Sequence, residues 1–521
     1  MKVSIFNDVV GPVMRGASSS HCAAALRIGR LARDLMGGTV DSVLVEFDRA
    51  GALPTTHESQ GSDMGLFGGL MGWEADDERL PDSPQLIRAQ GTVVQIETVD
   101  VGDPHPNTYR LSLKNKLEEV RLTAISTGGG MIEVLTIDGT EVDIRGDYFE
   151  TLVQFSGAAN EIRVESVKMA LPDIEEIAVH DGMVEVRSSR HYSDEEVGAA
   201  FPGVSVTRVR RLFPVLPVLS RRNVTVPFTT CAEMLASASD APLWKLAVQY
   251  ESARGNLAEE EVIEKMVEIV RILRSSISQG IAGTSYEDRI LPPQTPTYRA
   301  KLESGKLLDG GMLNRIVLYV SALMEVKSSM GVLVAAPTAG ACAAFPAAVI
   351  GACEELGLGL EDMAKAMLAG GLVGVFIATA WTFAAEVGGC QAEGGAAACM
   401  AAAALTGLAG GSVSDSVAAA SIALQNMIGL ICDPVAKRVE VPCLGKNVMA
   451  ASNALACANM ALAGFASVVP LDEVIETAKR VSAQMPRELR CTGLGGLAIT
   501  EASQVIEKRL EARSALGLRV V

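Results

Sequence analysis

Aromatic side chains are scarce in this sequence, and their scarcity limits the kind of core that it can build. Phe, Trp and Tyr together make up 4% of the 521 residues, whereas apolar residues make up 49% and glycine occurs 50 times. The interior must therefore consist of Ala, Val, Leu, Ile, Met and Gly, with closely approaching backbones. A chain of this length is expected to form about two to four domains.

Positive charge is also in short supply, which argues against one class of partner. Lys and Arg number 45 against 62 Asp and Glu, a net charge of −17. Nucleic-acid binding needs clustered cations, so we expect no nucleic-acid partner. The start, MKVSIFNDVVGPV, lacks the charged and apolar regions of a signal peptide, and we expect a cytoplasmic protein.

The ten cysteines include no CxxC pair, which argues against a zinc finger or zinc ribbon. In a cytoplasmic chain they are expected to be free, metal-binding or catalytic rather than disulfide-bonded. Cys390, Cys432 and Cys443 each lie beside Gly or Pro, at expected loops or helix ends where a thiolate can form. Four others lie in Ala-rich runs and are expected to be packing residues: Cys342, Cys353, Cys399 and Cys457. Position alone leaves open whether the first three bind a metal or pack in the core.

Long apolar stretches raise the possibility of membrane spans. They cover residues 329–352, 366–385, 393–411 and 447–469. Ala and Gly dominate these stretches, only three Trp are present, and Glu386 and Glu393 would be costly in hydrocarbon. We therefore expect a buried helical core and no membrane insertion. The alternative is a membrane protein, not an enzyme, whose cysteines serve packing.

The chain reads as α+β with three parts. Residues 1–150 alternate β-rich runs with an amphipathic helix, which predicts an α/β domain. Residues 151–220 have short strand and helix patterns and are interpreted as an ACT-like module or a linker. Residues 228–521 are helical almost throughout and are predicted to form an all-α domain.

Several segments, in order, resemble the iron–sulfur-dependent L-serine dehydratases, with that family's beta and alpha domains fused in one chain. The similarity covers about residues 11–145 and 312–500. The segments are GPVMRGASSSHCAAALRIGRLAR (11–33), HPNTYR (105–110), STGGGMIEV (126–134), AAPTAGACAAFPA (335–347), EVGGCQAEGGAA (386–397), GLICDPVA through MALAG (429–464) and LRCTGLGGLAIT (489–500).

The resemblance implies a cofactor and a reaction. Cys390, Cys432 and Cys443 would hold a [4Fe–4S] cluster in the helical domain and leave one iron open as a Lewis acid. The expected activity is a lyase reaction without pyridoxal phosphate, in which L-serine loses water to give pyruvate and ammonia. The family also implies a homodimer, a small amino acid as ligand, and a role in amino-acid catabolism and gluconeogenesis.

Four of these segments, together with Asp63 in THESQGSD (56–63), supply the predicted substrate site. Each of the four also has a local interpretation: SSSH as a helix N-cap, HPNT as a turn, and STGGG and APTAG as glycine turns. The glycine loop and APTAG can equally offer N–H groups to a carboxylate. The predicted substrate-binding residues are Ser18, Ser19, Ser20, Asn107, Asp63, Gly128, Gly129 and Thr338.

The general base is left open. The family commonly has GHGTD where this chain has SQGSD, so Gln60, which cannot abstract a proton, stands in place of a histidine. Three candidates remain, His57, His105 and His21, since each imidazole can titrate near neutral pH.

Other departures bear on the substrate and on the cluster. Cys22 stands where the family has Thr, and Lys327, where it often has Asn, is either a solvated helix residue or a reader of a second acid group. Cys491 stands where Glu is usual in the family and is a candidate fourth ligand. Because of these changes, an alternative function is the same chemistry on cysteine, releasing sulfide, or on a larger hydroxy amino acid.

Overall fold

The computed structural model describes residues 2–157, 159, 162–237, 240–286 and 288–515. Strands and helices are mixed, which confirms the coarse α+β expectation. The elements up to residue 144 run, in chain order, β1 Val13–Met14, α1 Ala24–Leu35, β2 Ser42–Asp48, α2 Leu53–Thr56, α3 Ser62–Leu70, α4 Ser83–Ala89, β3 Val93–Val99, β4 Thr108–Lys114, β5 Glu119–Gly128, β6 Met131–Ile137 and β7 Thr140–Ile144. A π-helical turn, Ser19–Ala23, leads into α1, and another covers Ile5–Val9.

A six-stranded sheet forms the frame of this N-terminal part, in the order β3-β2-β4-β5-β6-β7. The β2–β3 pair is parallel and the other neighbours are antiparallel. Along β5, Val120, Leu122 and Ala124 are buried and alternate with more exposed residues, as a sheet with one covered face requires. Helices α1 and α3 pack with this sheet in one apolar core.

Glycines allow α1 and α3 to cross at very short range. A Cβ at Gly65 of α3 would lie 1.9 Å from the Cys22 carbonyl oxygen, and one at Gly69 would lie 2.1 Å from that of Leu26. Both distances are far below van der Waals contact. The crossing therefore fixes the position of the π-helical turn that carries the SSSH segment.

Gly65→Ala should lower the unfolding free energy by about 2–3 kcal/mol, because the new methyl group must push α3 away from the Cys22 carbonyl. Thermal unfolding followed by circular dichroism measures the effect. Gly198→Ala is the matched control: Gly198 is exposed and a Cβ there meets nothing within 4 Å. Equal melting temperatures for the two variants would contradict the crossing described here.

The middle of the chain forms a second, four-stranded sheet. Its elements are β8 Phe149–Ser156, α5 Val164–Ala170, β9 Ile174–His180, β10 Met183–Ser188, α6 Asp194–Ala200 and β11 Ser205–Leu212. The order β11-β8-β10-β9, with α5 and α6 packed on one face, is the β-α-β-β-α-β arrangement of ferredoxin-like modules. The topology suits the ACT-like interpretation, and a regulatory role stays a prediction.

The rest of the described chain is helical apart from one short strand. Its elements are α7 Cys231–Ala236, α8 Leu243–Gly255, α9 Glu259–Ala282, α10 Thr295–Glu303, α11 Met312–Ser328, β12 Leu333–Val334, α12 Ala344–Glu355, α13 Leu360–Ala380, α14 Ala385–Gly388, α15 Ala396–Leu408, α16 Val413–Gln425, α17 Cys443–Leu462, α18 Leu471–Gln484 and α19 Glu501–Ala515.

The Ala-rich helix α15 lies at the centre of this bundle and packs against α12, α13, α16 and α17. Its residues 396–406 are all buried, since small side chains let four helices approach it. Helix α13 is long and apolar enough to cross a membrane, yet 78% of its most apolar 18-residue window is buried inside the fold. The cysteines predicted to pack are buried in these helices or beside them: Cys342, Cys353, Cys399 and Cys457.

The N-terminal segment joins the two halves of the molecule, that is, the N-terminal half with the six-stranded sheet and the helical half that begins at α7. Ile5, Phe6 and Val9 are buried in the helical core rather than under the six-stranded sheet. Strand β1 pairs antiparallel with β12, matching Val13 to Val334. Val13 and Met14 thus form a strand that pairs directly with the helical part.

Candidate active site

The SSSH segment faces the helical half of the molecule. The Ser19 hydroxyl accepts a hydrogen bond from the Ala339 N–H at 3.1 Å, and the Ser20 hydroxyl donates to Glu386 Oε1 at 2.7 Å. Ser18 precedes the π-helical turn but its side chain makes no capping hydrogen bond. The Ser19 and Ser20 hydroxyls therefore connect the SSSH segment to the helical part, and the Ser18 hydroxyl bonds within the segment, to Ser20 and His21, instead of capping the helix.

His21 is held on both ring nitrogens. Its Nε2 lies 2.9 Å from the Thr56 hydroxyl, and its Nδ1 lies 3.1 Å from the Ser18 hydroxyl and 3.2 Å from Glu386 Oε1. Burial lowers the pKa of His21, and the charge of Glu386 opposes that shift. A ring fixed at both ends suits a positioning role better than proton abstraction.

Two glutamates flank Cys390, of which Glu386 is buried and Glu393 is half-buried. Glu386 is 4% exposed, and its Oε2 has no hydrogen-bond partner among the described residues. Glu393 accepts from the Thr338 hydroxyl at 2.8 Å, which places the predicted substrate ligand Thr338 against a carboxyl group. Burial and the charge of Glu386 raise the pKa of Glu393 to about 7.

His57 and Asp63 form a close pair, with Nδ1 2.8 Å from Asp63 Oδ1. Burial lowers the pKa of His57, but the hydrogen bond and charge of Asp63, with the charge of Glu58, raise it above its ordinary value overall. Asp63, predicted to bind substrate, is thus placed to orient the imidazole. Gln60 points away from this pair, to the Cys491 thiol.

The HPNT segment forms a turn, and its His105 lies near enough to Glu386 for the two charges to interact. The Asn107 N–H donates to His105 Nδ1 at 3.2 Å, and the Thr108 hydroxyl donates to the His105 carbonyl at 2.8 Å. The Asn107 side chain is fully buried, and neither its Nδ2 nor its Oδ1 has a partner within the described ranges. Burial lowers the pKa of His105, with Glu386 opposing.

The glycine loop is pressed against the segment before Glu386. Gly128, Gly129 and Gly130 have φ values of +107°, +62° and +91°, a run that only glycines adopt readily. A Cβ at Gly128 would lie 2.7 Å from the Ala384 nitrogen. The neighbouring Ser126 hydroxyl is buried and unpartnered in the part of the chain that the structure describes.

Four buried cysteines lie near Glu386 and Glu393. The Sγ atoms of Cys390 and Cys432 and a carboxylate oxygen of Glu393 lie within 4.8 Å of one another. Cys491 packs with Cys390 and Cys432 in one small cluster. Cys443 is 8% exposed, and its thiol is near enough for the charge of Cys390 to raise its pKa. The three predicted ligands are therefore brought to one region, together with a fourth thiol.

Local backbone features aim these thiols inward. Cys443 is the first residue of α17, where the helix dipole favours a thiolate. Cys390 follows Gly389, whose φ of +70° and close approach to the Leu430 carbonyl, 2.9 Å from a Cβ there, exclude a larger residue. The positions predicted from Gly and Pro neighbours are thus a helix start and a turn.

Lys446 supplies positive charge beside the thiols. Its Nζ lies 3.8 Å from Cys390 Sγ and also donates to Asp433 Oδ1 at 2.7 Å and to the Ile431 carbonyl at 2.8 Å. Hydrogen bonds with the neighbouring thiols and burial raise the pKa of Cys432. Buried thiols of raised pKa give up their protons when a metal cation replaces them. Such a donor set suits a soft metal or an iron–sulfur cluster.

Lys327 is not a solvated helix residue, which corrects one interpretation of the sequence. It is 1% exposed, because α11 turns it inward, and its ammonium group donates to the Val439 carbonyl. Burial raises the pKa values of Cys443 and Glu393, and the charge of Lys327 opposes both shifts. The Lys327 ammonium group therefore lies beside Cys443 and Glu393.

Sequence reasoning missed Glu386, Glu393, Thr56 and Lys446 as site residues. A signal was present for the two glutamates: they are the charged residues of EVGGCQAEGG, inside an otherwise uncharged stretch. No sequence pattern marked Thr56, because its contact with His21 depends on how α2 packs on the π-helical turn.

Comparison with known proteins finds one family and several relatives with similar sequences. The family model described as "Serine dehydratase alpha chain" matches residues 238–498. A Bacillus subtilis protein named "Probable L-serine dehydratase, alpha chain" is 38% identical over 260 residues, covering 50% of this chain and 86% of that protein.

Two further relatives extend the similarity. The Bacillus subtilis "Probable L-serine dehydratase, beta chain" is 34% identical over 207 residues, covering 37% of this chain and 93% of that protein. The Streptomyces coelicolor "L-serine dehydratase" is 29% identical over 521 residues, covering 96% of this chain and 99% of its own length.

Proposed function

We propose, on the premise that this chain belongs to the serine dehydratase family as an iron–sulfur enzyme with fused domains, that it converts L-serine to pyruvate and ammonia without pyridoxal phosphate. One observation carries the proposal. Residues 386–393 contact the SSSH segment at one end, through Glu386, and the buried thiols at the other, through Cys390 and Glu393. Substrate recognition and metal chemistry therefore share one short segment.

The residues at the thiol cluster fit a [4Fe–4S] group. Cys390, Cys432 and Cys443 are buried and come from three separate segments. Their thiols therefore approach the site from different directions, as the ligands of a cluster of several irons do. Lys446 offsets part of the negative charge that three thiolates bring. Held by three thiolates, such a cluster supplies an iron with an open position that acts as a Lewis acid on a carboxylate or hydroxyl oxygen.

Buried polar atoms without partners indicate how the substrate is held. Glu386 Oε2 is a buried carboxylate oxygen, and a substrate ammonium group is the counter-charge that would satisfy it. The Asn107 amide and the backbone N–H groups of the glycine loop are the matching donors for a carboxylate. Ser18, Ser19 and Ser20 are proposed to bind the substrate beside these groups; Ser20 donates to Glu386, and Ser19 accepts from the Ala339 N–H.

The His57–Asp63 pair is the proposed general base. Asp63 holds Nδ1, so the imidazole presents Nε2 as the acceptor of the α-proton of serine. Loss of this proton and of the β-hydroxyl as water leaves an enamine. The enamine becomes an imine, and water then releases ammonia and pyruvate, so the net reaction consumes no water.

Lys327, which is buried, and Lys446, which is half-buried, lie beside the thiols, and their contacts support a reaction without an aldehyde cofactor. Lys327 donates to the Val439 carbonyl, and Lys446 pairs with Asp433. Both amines are engaged in fixed contacts, whereas a Schiff-base lysine must present a free, neutral amine.

Metal content and activity of cysteine variants test the proposal. After anaerobic reconstitution, the native protein should show the broad visible absorption of a [4Fe–4S] cluster and release pyruvate from L-serine. Cys390→Ala, Cys432→Ala and Cys443→Ala should each lose both properties, because a structural ligand is missing. Cys457→Ala, a buried cysteine of α17, is the control and should retain both. An iron-free native protein that is active would reject the proposal.

A second candidate substrate follows from Lys327. A buried cation beside Cys443 and Glu393 would favour a hydroxy amino acid with a second carboxylate over serine. Release of 2-oxo acid from serine, threonine, cysteine and hydroxyaspartate separates the two. A preference for hydroxyaspartate that Lys327→Asn reverses would favour the larger substrate.

A further inference from the structure

The cysteine that stands outside the predicted ligand set lies among the thiols. Cys491 is 4% exposed and packs with Cys390 and Cys432. Its thiol and that of Cys432 are hydrogen-bonding neighbours. Position therefore gives Cys491 the same access to this volume as the expected ligands.

Backbone pairing fixes Cys491 beside Cys432. The Cys432 N–H donates to the Leu489 carbonyl at 2.9 Å, and the Cys491 N–H donates to the Cys432 carbonyl at 3.2 Å. These bonds form an isolated parallel bridge between Cys432 and Arg490. A displacement of one thiol would therefore move the other.

Cys491 has a strained backbone. Its φ is +56°, in the left-handed region that non-glycine residues adopt at a cost of about 1–3 kcal/mol. If the side chain only filled space, Gly or Asn would serve at this position with less strain, because both adopt the left-handed region more readily. Strain of this kind in a buried loop is typical of residues whose side chain must point in a particular direction.

The N-terminal half contributes an amide to the same thiol. Gln60 Nε2 lies 3.6 Å from Cys491 Sγ, and the Thr55 hydroxyl donates to the Thr492 carbonyl at 3.1 Å. An amide N–H donated to sulfur stabilises the thiolate form and is a common partner of a metal-bound cysteine. The exchange of histidine for Gln60 thus suits a thiol at residue 491.

We propose that Cys491 is a fourth thiolate ligand of the cluster in the enzyme without substrate. The inference rests on the proposed function, since it requires a cluster at Cys390, Cys432 and Cys443. A cluster with a thiolate on each iron is closed, and it resists the loss of iron on oxidation that a three-thiolate cluster undergoes. Gln60 then donates a hydrogen bond to the Cys491 sulfur, at a position where the family usually has Glu.

Controlled oxidation of the reconstituted full chain tests this inference. Native protein, Cys491→Ser, Cys491→Ala and the control Cys457→Ala are treated with ferricyanide under anaerobic conditions. Iron content and the EPR spectrum are then measured. The native protein and the control should keep their iron, whereas both Cys491 variants should lose about one iron in four and show the signal of a [3Fe–4S] cluster.

The outcomes separate this inference from the proposed function. Equal loss of iron from the native protein and from both Cys491 variants would overturn the fourth ligand and leave the three-thiolate cluster standing. A native protein that takes up no cluster would reject both. Cys491→Ser differs from the native side chain by one atom, so it carries the comparison if Cys491→Ala fails to fold.

Discussion

Glu386→Gln should raise the KM for L-serine roughly 100-fold with a much smaller change in kcat. The glutamine keeps the size of the side chain and its contact with Ser20 but removes the charge that faces the substrate ammonium group. A hydrogen bond between buried charged groups contributes about 3 kcal/mol, which corresponds to this factor in affinity. Steady-state kinetics on reconstituted enzyme separates the two constants, because an interaction equal in ground and transition states changes KM alone.

Glu325→Gln is a matched control for a buried carboxylate. Glu325 is also 4% exposed, but its Oε1 is satisfied by the N–H groups of Gln294 and Thr295 at the start of α10. That variant should lose stability and keep its KM. An unchanged KM in Glu386→Gln, at full cluster content, would remove Glu386 from substrate recognition.

His57→Asn should lower kcat by about 10²–10⁴-fold, the usual contribution of a general base. The pH profile gives a second readout. The base acts when deprotonated, so kcat/KM should rise with pH through the pKa of His57, which Asp63 raises above its ordinary value against the opposing effect of burial. Asp63→Asn removes the raising influence, so the acidic limb of the profile should move to lower pH while the maximum falls.

His105→Asn distinguishes the remaining candidate. Burial lowers the pKa of His105, so a profile governed by that residue would have its acidic limb below that expected for His57. If His105→Asn loses more activity than His57→Asn, and Asp63→Asn leaves the limb in place, the proton is abstracted by His105 instead.

Much of the architecture was predictable because it depends on local patterns. Alternation in strands such as β5 and the Ala-rich run of α15 indicated sheet and buried helix, and the ordered motifs identified the family correctly. The contexts of Cys390 and Cys443, beside Gly and Pro, indicated a turn and a helix start, which the structure has.

The partners of individual side chains were not predictable, since they come from segments far apart in sequence. Glu386 meets Ser20 across 366 residues, and Cys491 meets Gln60 across 431. The burial of Lys327 was not predictable for the same reason. A lysine near a helix end is usually solvated, and only the packing of the folded chain shows that this one is buried.

The N-terminal segment attaches the six-stranded-sheet part to the helical part, through the β1–β12 strand pair and the burial of Ile5, Phe6 and Val9 in the helical core. This attachment determines how activity depends on protein concentration. Ser20 and Glu386 belong to opposite halves of one covalent chain, so their meeting is an intramolecular equilibrium governed by an effective concentration that the connecting segment sets. Dilution leaves that effective concentration unchanged. A chain cut between the halves would have to assemble the same site by a bimolecular step, and its activity would then fall as the pieces are diluted.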